Sequence, residues 1–268
     1  MGNYESSEEC HHLYLLDFKP KRSEKLLIRL PLGDLVEAYF VQRLNRFVIQ
    51  CRLDKNSPET VEAHLADPGR LRELLVPDSR IWLRPSANPK RKTKWSAVLV
   101  EADNHSVVSL VSTLPNELIK TALKQKAIEE LAAWTFVRSE YPVGRHRFDF
   151  LLEQDDQLLL LEVKSVTLVE NGRGMFPDAV TLRGRKHLET LAELTASGKY
   201  QTAVLFVLQR SDADYITAAS HIDPAFAQAM TEASETGVKL LGRRCTVTTG
   251  HITLGSSLPI VLHRQGAD

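Results

Sequence analysis

The run at residues 158–166, LLLLEVKSV, constrains the fold more than any other part of the chain. Continuous apolar sequence of this length reads as a strand buried on both faces, which requires packed layers above and below it. Two charges, Glu162 and Lys164, interrupt it. Period-two geometry puts them on one face and Val163 on the other. Charged side chains in such a strand need partners, so the pair marks a candidate site.

The surrounding pattern extends the layers. Residues 147–152 (RFDFLL) read as a strand with Phe148, Phe150 and Leu152 on one face and Asp149 on the other. The turn at Asp155-Asp156-Gln157 makes this strand an antiparallel neighbour of 158–166. A helix is expected over 116–133, a strand over 136–141 and a glycine loop around Gly172 and Gly174. Then follow a helix over 182–197, a buried strand over 203–208, a helix over 224–236 and a strand over 238–247. Strands followed by helices indicate an α/β domain with a mixed sheet over 114–268. Before it, short aromatic and β-branched segments at 36–53 (broken at Asn45), 59–65, 80–83, 95–101 and 106–111 suggest a small β-barrel over 26–113, with a helical turn or two at 69–75. Residues 1–25 are polar and read as a mobile tail in which the His11-His12 pair has no companion ligand. The fold class is α+β.

The chemistry follows from the strand pair. Asp149 and Glu162 on adjacent strands can converge at one end of the sheet, with Lys164 beside them. Carboxylate oxygens suit a hard divalent cation such as Mg²⁺ or Mn²⁺, which acidifies water and neutralises phosphate charge. Lys164 is positioned to orient the attacking water or contact the phosphate, so the reaction class is phosphodiester hydrolysis. Glu140 is the first choice for a third carboxylate, with Glu117 and Glu130 as alternatives. Arg183, Lys186 and His187 share a face near a helix start, a phosphate-binding arrangement. Asp178 is expected to cap or orient that turn. Gln209 either reaches the same pocket or simply ends a strand.

Formal net charge is zero, so polyanion binding requires a local basic surface. One exists: Lys90, Arg91, Lys92 and Lys94 crowd a loop between strands that carry Trp82 and Trp95. Barrels with such loops bind single strands by stacking and phosphate contact, with little sequence preference. Cys10, Cys51 and Cys245 have no paired spacing, which argues against disulfides and zinc. The N-terminus lacks a secretory pattern and no apolar stretch is long enough to span a membrane, so a cytoplasmic location is expected.

The chain resembles the sugar fermentation stimulation protein A family of bacteria and archaea. The matching segments are RLNRFV (43–48), VEAHLADPGRLRELLVP (61–77), NPKRKTK (88–94), TLPNELI (113–119), RFDFLL, LEVKSVTLVE (161–170), FPDAVTLRGRKHL (176–188), IDPAF (222–226) and GVKLL (237–241). The resemblance implies an OB-type barrel followed by a PD-(D/E)xK nuclease-like domain in which Asp149, Glu162 and Lys164 occupy the motif positions. It also implies non-specific DNA binding and a link to sugar, especially maltose, metabolism. One departure is local: the family pattern Gly-x-Ser-Arg is here Gly144-Arg145-His146-Arg147. Three functions are in view: a Mg²⁺- or Mn²⁺-dependent nuclease, a DNA-binding regulator without significant catalysis, and a protein acting on a small phosphorylated ligand.

Overall fold

The computed structural model describes residues 27–262. The expected tail, with Cys10 and the His11-His12 pair, lies outside the described residues. The first strand, β1 (Arg29–Pro31), precedes β2 (Val36–Asn45), β3 (Val48–Arg52), β4 (Val61–Leu65), β5 (Arg80–Pro85), β6 (Trp95–Glu101) and β7 (Val107–Ser109). Strands β2 to β6 form an OB-like five-stranded barrel, ordered β4-β3-β2-β5-β6 and closed by parallel pairing of β4 with β6; β7 extends it. Alternation builds its interior. In β3, Ile49 and Cys51 are fully buried while Val48, Gln50 and Arg52 are not.

The second unit contains α1 (Leu114–Lys124), β8 (Thr135–Val143), β9 (His146–Gln154), β10 (Gln157–Val166), β11 (Leu168–Glu170), β12 (Arg173–Phe176), α2 (Leu182–Ala196), β13 (Gln201–Leu208), β14 (Tyr215–Ala218), α3 (Pro224–Glu235), β15 (Lys239–Val247), β16 (His251–Ser257) and β17 (Ile260–Val261). Its main sheet has the order β1-β16-β15-β13-β10-β9-β8. The β10–β13 and β13–β15 pairs are parallel and the others antiparallel, so the sheet is mixed.

Strand β10 is buried on both faces, as its sequence implies. Leu159, Leu161 and Val163 enter a core with α1 and with barrel residues Trp82, Val98 and Leu99. Leu160 and Val166 enter a second core under α2 and α3. Each buried leucine contributes roughly 2 kcal/mol through the apolar area it withdraws from water. A smaller sheet of β11, β12, β14 and β17 flanks this second core.

Several expectations need correcting. Strand β1 does not belong to the barrel. It pairs with β16, because the flanking Ile28 and Leu32 bury themselves in the first core. The helix expected over 116–133 stops at Lys124. Lys126 adopts φ +52°, and the Ala127 N–H donates back to the Ala122 carbonyl, a left-handed helix stop. Ile128 and Leu131 still reach the core, which is why their spacing mimicked a longer helix. The glycine loop is a hairpin, β11–β12, turned by Asn171 and Gly172 at positive φ. Residues 69–75 form turns and no helix. Phe148 and Phe150 do not share a face: Phe148 lies in the second core and Phe150 in the first. Alternation breaks at Asp149, opposite Glu140, whose φ of +55° is unusual for a non-glycine residue.

Candidate active site

Pairing of β9 with β10 ends at Phe150↔Leu161, and Asp149 lies just beyond it. Its Oδ2 accepts the Val163 N–H at 2.7 Å in place of a ladder bond, and its Oδ1 accepts the Asn116 side-chain amide at 2.7 Å. Glu162 is only 5% exposed. Its Oε1 accepts a hydrogen bond from Lys164 Nζ at 2.6 Å and lies 2.6 Å from His187 Nδ1 on α2. Its Oε2 is buried without a hydrogen-bond partner.

The electrostatics divide the two acids. Burial, reinforced by the negative charge of Glu162, pushes the Asp149 carboxyl up to about 6. Burial acts on Glu162 in the same direction, but the His187 hydrogen bond and the Lys164 charge outweigh it and hold Glu162 below its ordinary value. Burial thus favours the neutral form of Asp149, while the neighbours of Glu162 favour its ionised form. An orphaned buried carboxylate oxygen beside a second acid fits a divalent cation, which prefers such ligands.

Asp149 and Glu162 line one cleft of about 730 Å³ together with Glu140, Arg145, His146, Arg147, Leu182, Arg183, Lys186 and His187. Arg183 and Lys186 stand exposed at its rim, on the first turns of α2. His187, expected to contact phosphate, is instead buried against Glu162, because its position one turn into α2 faces the sheet. Lys164 lines a neighbouring cleft of about 220 Å³ with Arg46, Asp67, Gly69, Ser112 and Asp178. His146 lies 3.2 Å from Thr190 Oγ1 through Nε2 and stacks on Phe148.

The candidate third carboxylates fare differently. Glu140 lines the cleft, but its carboxylate lies 3.5 Å from Arg147 and is exposed. Glu117 is exposed on α1. Glu130 is bonded to Arg243, away from the site. Among the described residues, no group of three or more His, Cys, Asp or Glu is assembled for a metal. Asp178 does not cap α2; Thr181 does, accepting from the Gly184 N–H, while Asp178 approaches Leu71 N–H of the barrel at 3.4 Å. Gln209 is fully buried and lines neither cleft, but donates at 2.6 Å to Oγ of Ser165, which lines the smaller one. Asn116 is a site residue that the sequence marks only by its place at a helix start next to Pro115.

In the basic loop, Lys90, Lys92 and Lys94 are exposed. Arg91 is half-buried and donates to Ser96 Oγ at 3.0 Å. The loop lines neither cleft.

Residues 41–109 match the SfsA N-terminal OB domain, and residues 113–251 match the sugar fermentation stimulation protein RE domain. The chain is 43% identical over 235 residues to the sugar fermentation stimulation protein homolog of Shouchella clausii, covering 88% of this chain and 100% of that one. The chain belongs to the sugar fermentation stimulation protein family. The homolog from Chloroflexus aurantiacus is 39% identical, covering 87% of this chain and 89% of that one. The structure of Pyrococcus furiosus SfsA in complex with Ca²⁺ superimposes with a TM-score of 0.79 at 24% identity, covering 88% of this chain and 99% of that one. The two share the fold, an OB-like barrel followed by a mixed sheet with helices. The resemblance read from segments such as FPDAVTLRG is thus borne out. Among the described residues no helix is long and apolar enough to cross a membrane.

Proposed function

We propose that this member of the sugar fermentation stimulation protein family is a divalent-metal-dependent phosphodiesterase acting on DNA. The observation that carries the reading is the buried, partnerless Oε2 of Glu162, a residue that lines one cleft with Asp149. Leaving such an oxygen unsatisfied costs a few kcal/mol, about 1–3 or more for a charged group, which a bound cation would recover. Asp149 and Glu162 would hold Mg²⁺ or Mn²⁺. When bound, the metal supplies a more acidic water and neutralises phosphate charge. Lys164, on the same strand face as Glu162, orients the water or contacts the scissile phosphate. Arg183 and Lys186 hold the neighbouring phosphates at the rim. His187 positions Glu162. The Ca²⁺ bound by the Pyrococcus furiosus relative supports a cation site.

The test is cleavage of labelled single- and double-stranded DNA with Mg²⁺ or Mn²⁺. Wild-type protein cuts, chelator abolishes cutting, and Asp149→Asn reduces it by more than about 100-fold, beyond what an outer-shell change produces. Wild-type protein inert toward all these substrates would overturn the hydrolytic reading.

A second reading has its own support. Both Asp149 oxygens already accept hydrogen bonds, and no third ligand is assembled among the described residues. On this reading the protein binds DNA non-specifically in the regulation of sugar metabolism. DNA affinity would then fall steeply with salt and be unchanged in Asp149→Asn.

A further inference from the structure

We propose that the turn between β2 and β3 is a stacking platform for an unpaired base, delivering a single strand to the cleft lined by Lys164. The inference rests on the DNA reading above and names its substrate: a single-stranded or locally opened segment.

Two large apolar side chains are exposed at this tip, Leu44 at 44% and Phe47 at 46%. Exposing an aromatic ring at a hairpin end costs solvation, and aromatic platforms on barrels of this type take nucleobases. The surroundings carry the charge that a polyanion requires. Arg46 lies over the Phe47 ring, 5.5 Å from its centroid, and also lines the cleft that holds Lys164.

Strand register sets the basic loop across β4 from this tip: the Leu65 N–H donates to the Phe47 carbonyl, while the loop enters β6 at Trp95, opposite Ala63. Val48, next to Phe47, pairs with His64 of β4, and His64 pairs with Ser96 of β6. Ser96 accepts the Arg91 hydrogen bond that anchors the loop carrying Lys90, Lys92 and Lys94. Val48 and that anchor are thus two strand spacings apart, about 10 Å, well inside the roughly 4–16 nucleotides that one OB fold covers. A strand crossing β4 from the lysines would set a base on Phe47 and the next phosphate on Arg46, which shares its cleft with Lys164.

The platform is also braced. The Arg43 guanidinium donates to the carbonyls of Gly69 at 2.6 Å, Arg70 at 2.9 Å and Arg46 at 2.7 Å. It thereby ties the hairpin to the loop on which Asp178 of the larger domain rests. A rigid ring loses little freedom when a base stacks on it.

The experiment titrates full-length protein into a single-stranded oligothymidylate carrying one 2-aminopurine, in chelator so that the strand stays intact. Wild type quenches the fluorescence. Phe47→Ala and Phe47→Leu lose the quench and bind roughly 5- to 100-fold more weakly, the range for one stacked base, whereas Phe47→Trp retains both. Because Phe47 is exposed, circular dichroism melts should match wild type. Lys92→Ala lowers the slope of log affinity against log salt by about 0.7 while leaving the quench. If wild type binds the strand and Phe47→Ala binds and quenches equally, the platform is overturned and the DNA reading stands. If wild type binds no single strand, the platform is overturned, and the DNA reading falls with it only if duplex DNA is left unbound as well. Binding to anionic phosphatidylglycerol vesicles that Phe47→Ala abolishes, without oligonucleotide binding, would show the tip to be a membrane contact and also overturn the inference.

Discussion

Glu162 bears most of the weight at the scale of single residues. Through one oxygen it pairs with Lys164 and hydrogen-bonds His187, while almost wholly buried. Glu162→Gln keeps an accepting oxygen but leaves the buried Lys164 ammonium without its counter-charge. We expect a loss on the order of 3 kcal/mol in urea unfolding, with the protein stabilised less by added Mn²⁺ than wild type. A second acid offers a cleaner measurement. Burial pushes the Asp67 carboxyl up to about 6 from an ordinary value of 3.8, with the Asp178 charge helping and the Gly69 N–H opposing. Its folded value is raised, so its stabilising contribution is complete below about pH 4 and is lost as pH rises through about 6. Asp67→Asn, permanently neutral, should therefore match wild type near pH 4 and exceed it by roughly 2–3 kcal/mol at pH 8. Thermal melts across that range check the sign; a variant less stable than wild type at pH 8 would refute it. At this scale the sequence was informative about which residues carry charge and weaker about their partners. The spacing of Arg183, Lys186 and His187 brings all three to the lining of one cleft. It could not tell that His187 turns inward to Glu162, because that depends on how α2 lies across the sheet. Asn116 was invisible for the same reason, its partner lying 33 residues further along the chain.

Among the elements, the β-strands were the most legible, since alternation and buried runs register directly in residue type. The failures come where a backbone irregularity breaks the period. Strict alternation puts Phe148 and Phe150 on one face, and it does not hold through Asp149. The extended helix reading of 116–133 failed at Lys126, a residue type that gives no warning of a left-handed stop. Strands β14, β16 and β17 were missed because they are short or mix glycine and serine with their apolar residues. One loop gives a sharp prediction. Gly69 is buried in the 67–70 loop, and a Cβ built there overlaps the Asp178 carboxylate. Gly69→Ala must displace either Asp178 or the loop that Arg43 clasps, at a cost of about 1–3 kcal/mol. The double variant Gly69→Ala, Asp178→Ala should recover part of that loss. Additive costs in this cycle would show that the two residues do not meet.

The molecule as a whole is bound together by a core that ignores the boundary between its two folds. Trp82, Val98 and Leu99 of the barrel pack in the same cluster as Leu118, Leu161 and Val163. Arg210, 4% exposed, donates to Asp212 and to Ser106 Oγ at the end of the barrel. The Arg210 and Asn104 hydrogen bonds, working against burial, hold the Asp212 carboxyl down at about 2. We expect a single calorimetric unfolding transition, with Trp82→Ala lowering it by about 3–5 kcal/mol without splitting it; two resolved peaks would contradict a shared core.

The pairing of β1 with β16 changes how the chain should be cut. The polypeptide starts the large sheet, leaves it to wind the whole barrel, and only then returns to finish it. The barrel is therefore an insertion tethered at both ends, and has little freedom to swing on a single hinge. A fragment beginning at residue 114 would lack the sheet's outermost strand and bare the hydrogen-bonding edge of β16 to any passing chain, so anyone wishing to study the larger half alone should excise the barrel and join its flanks.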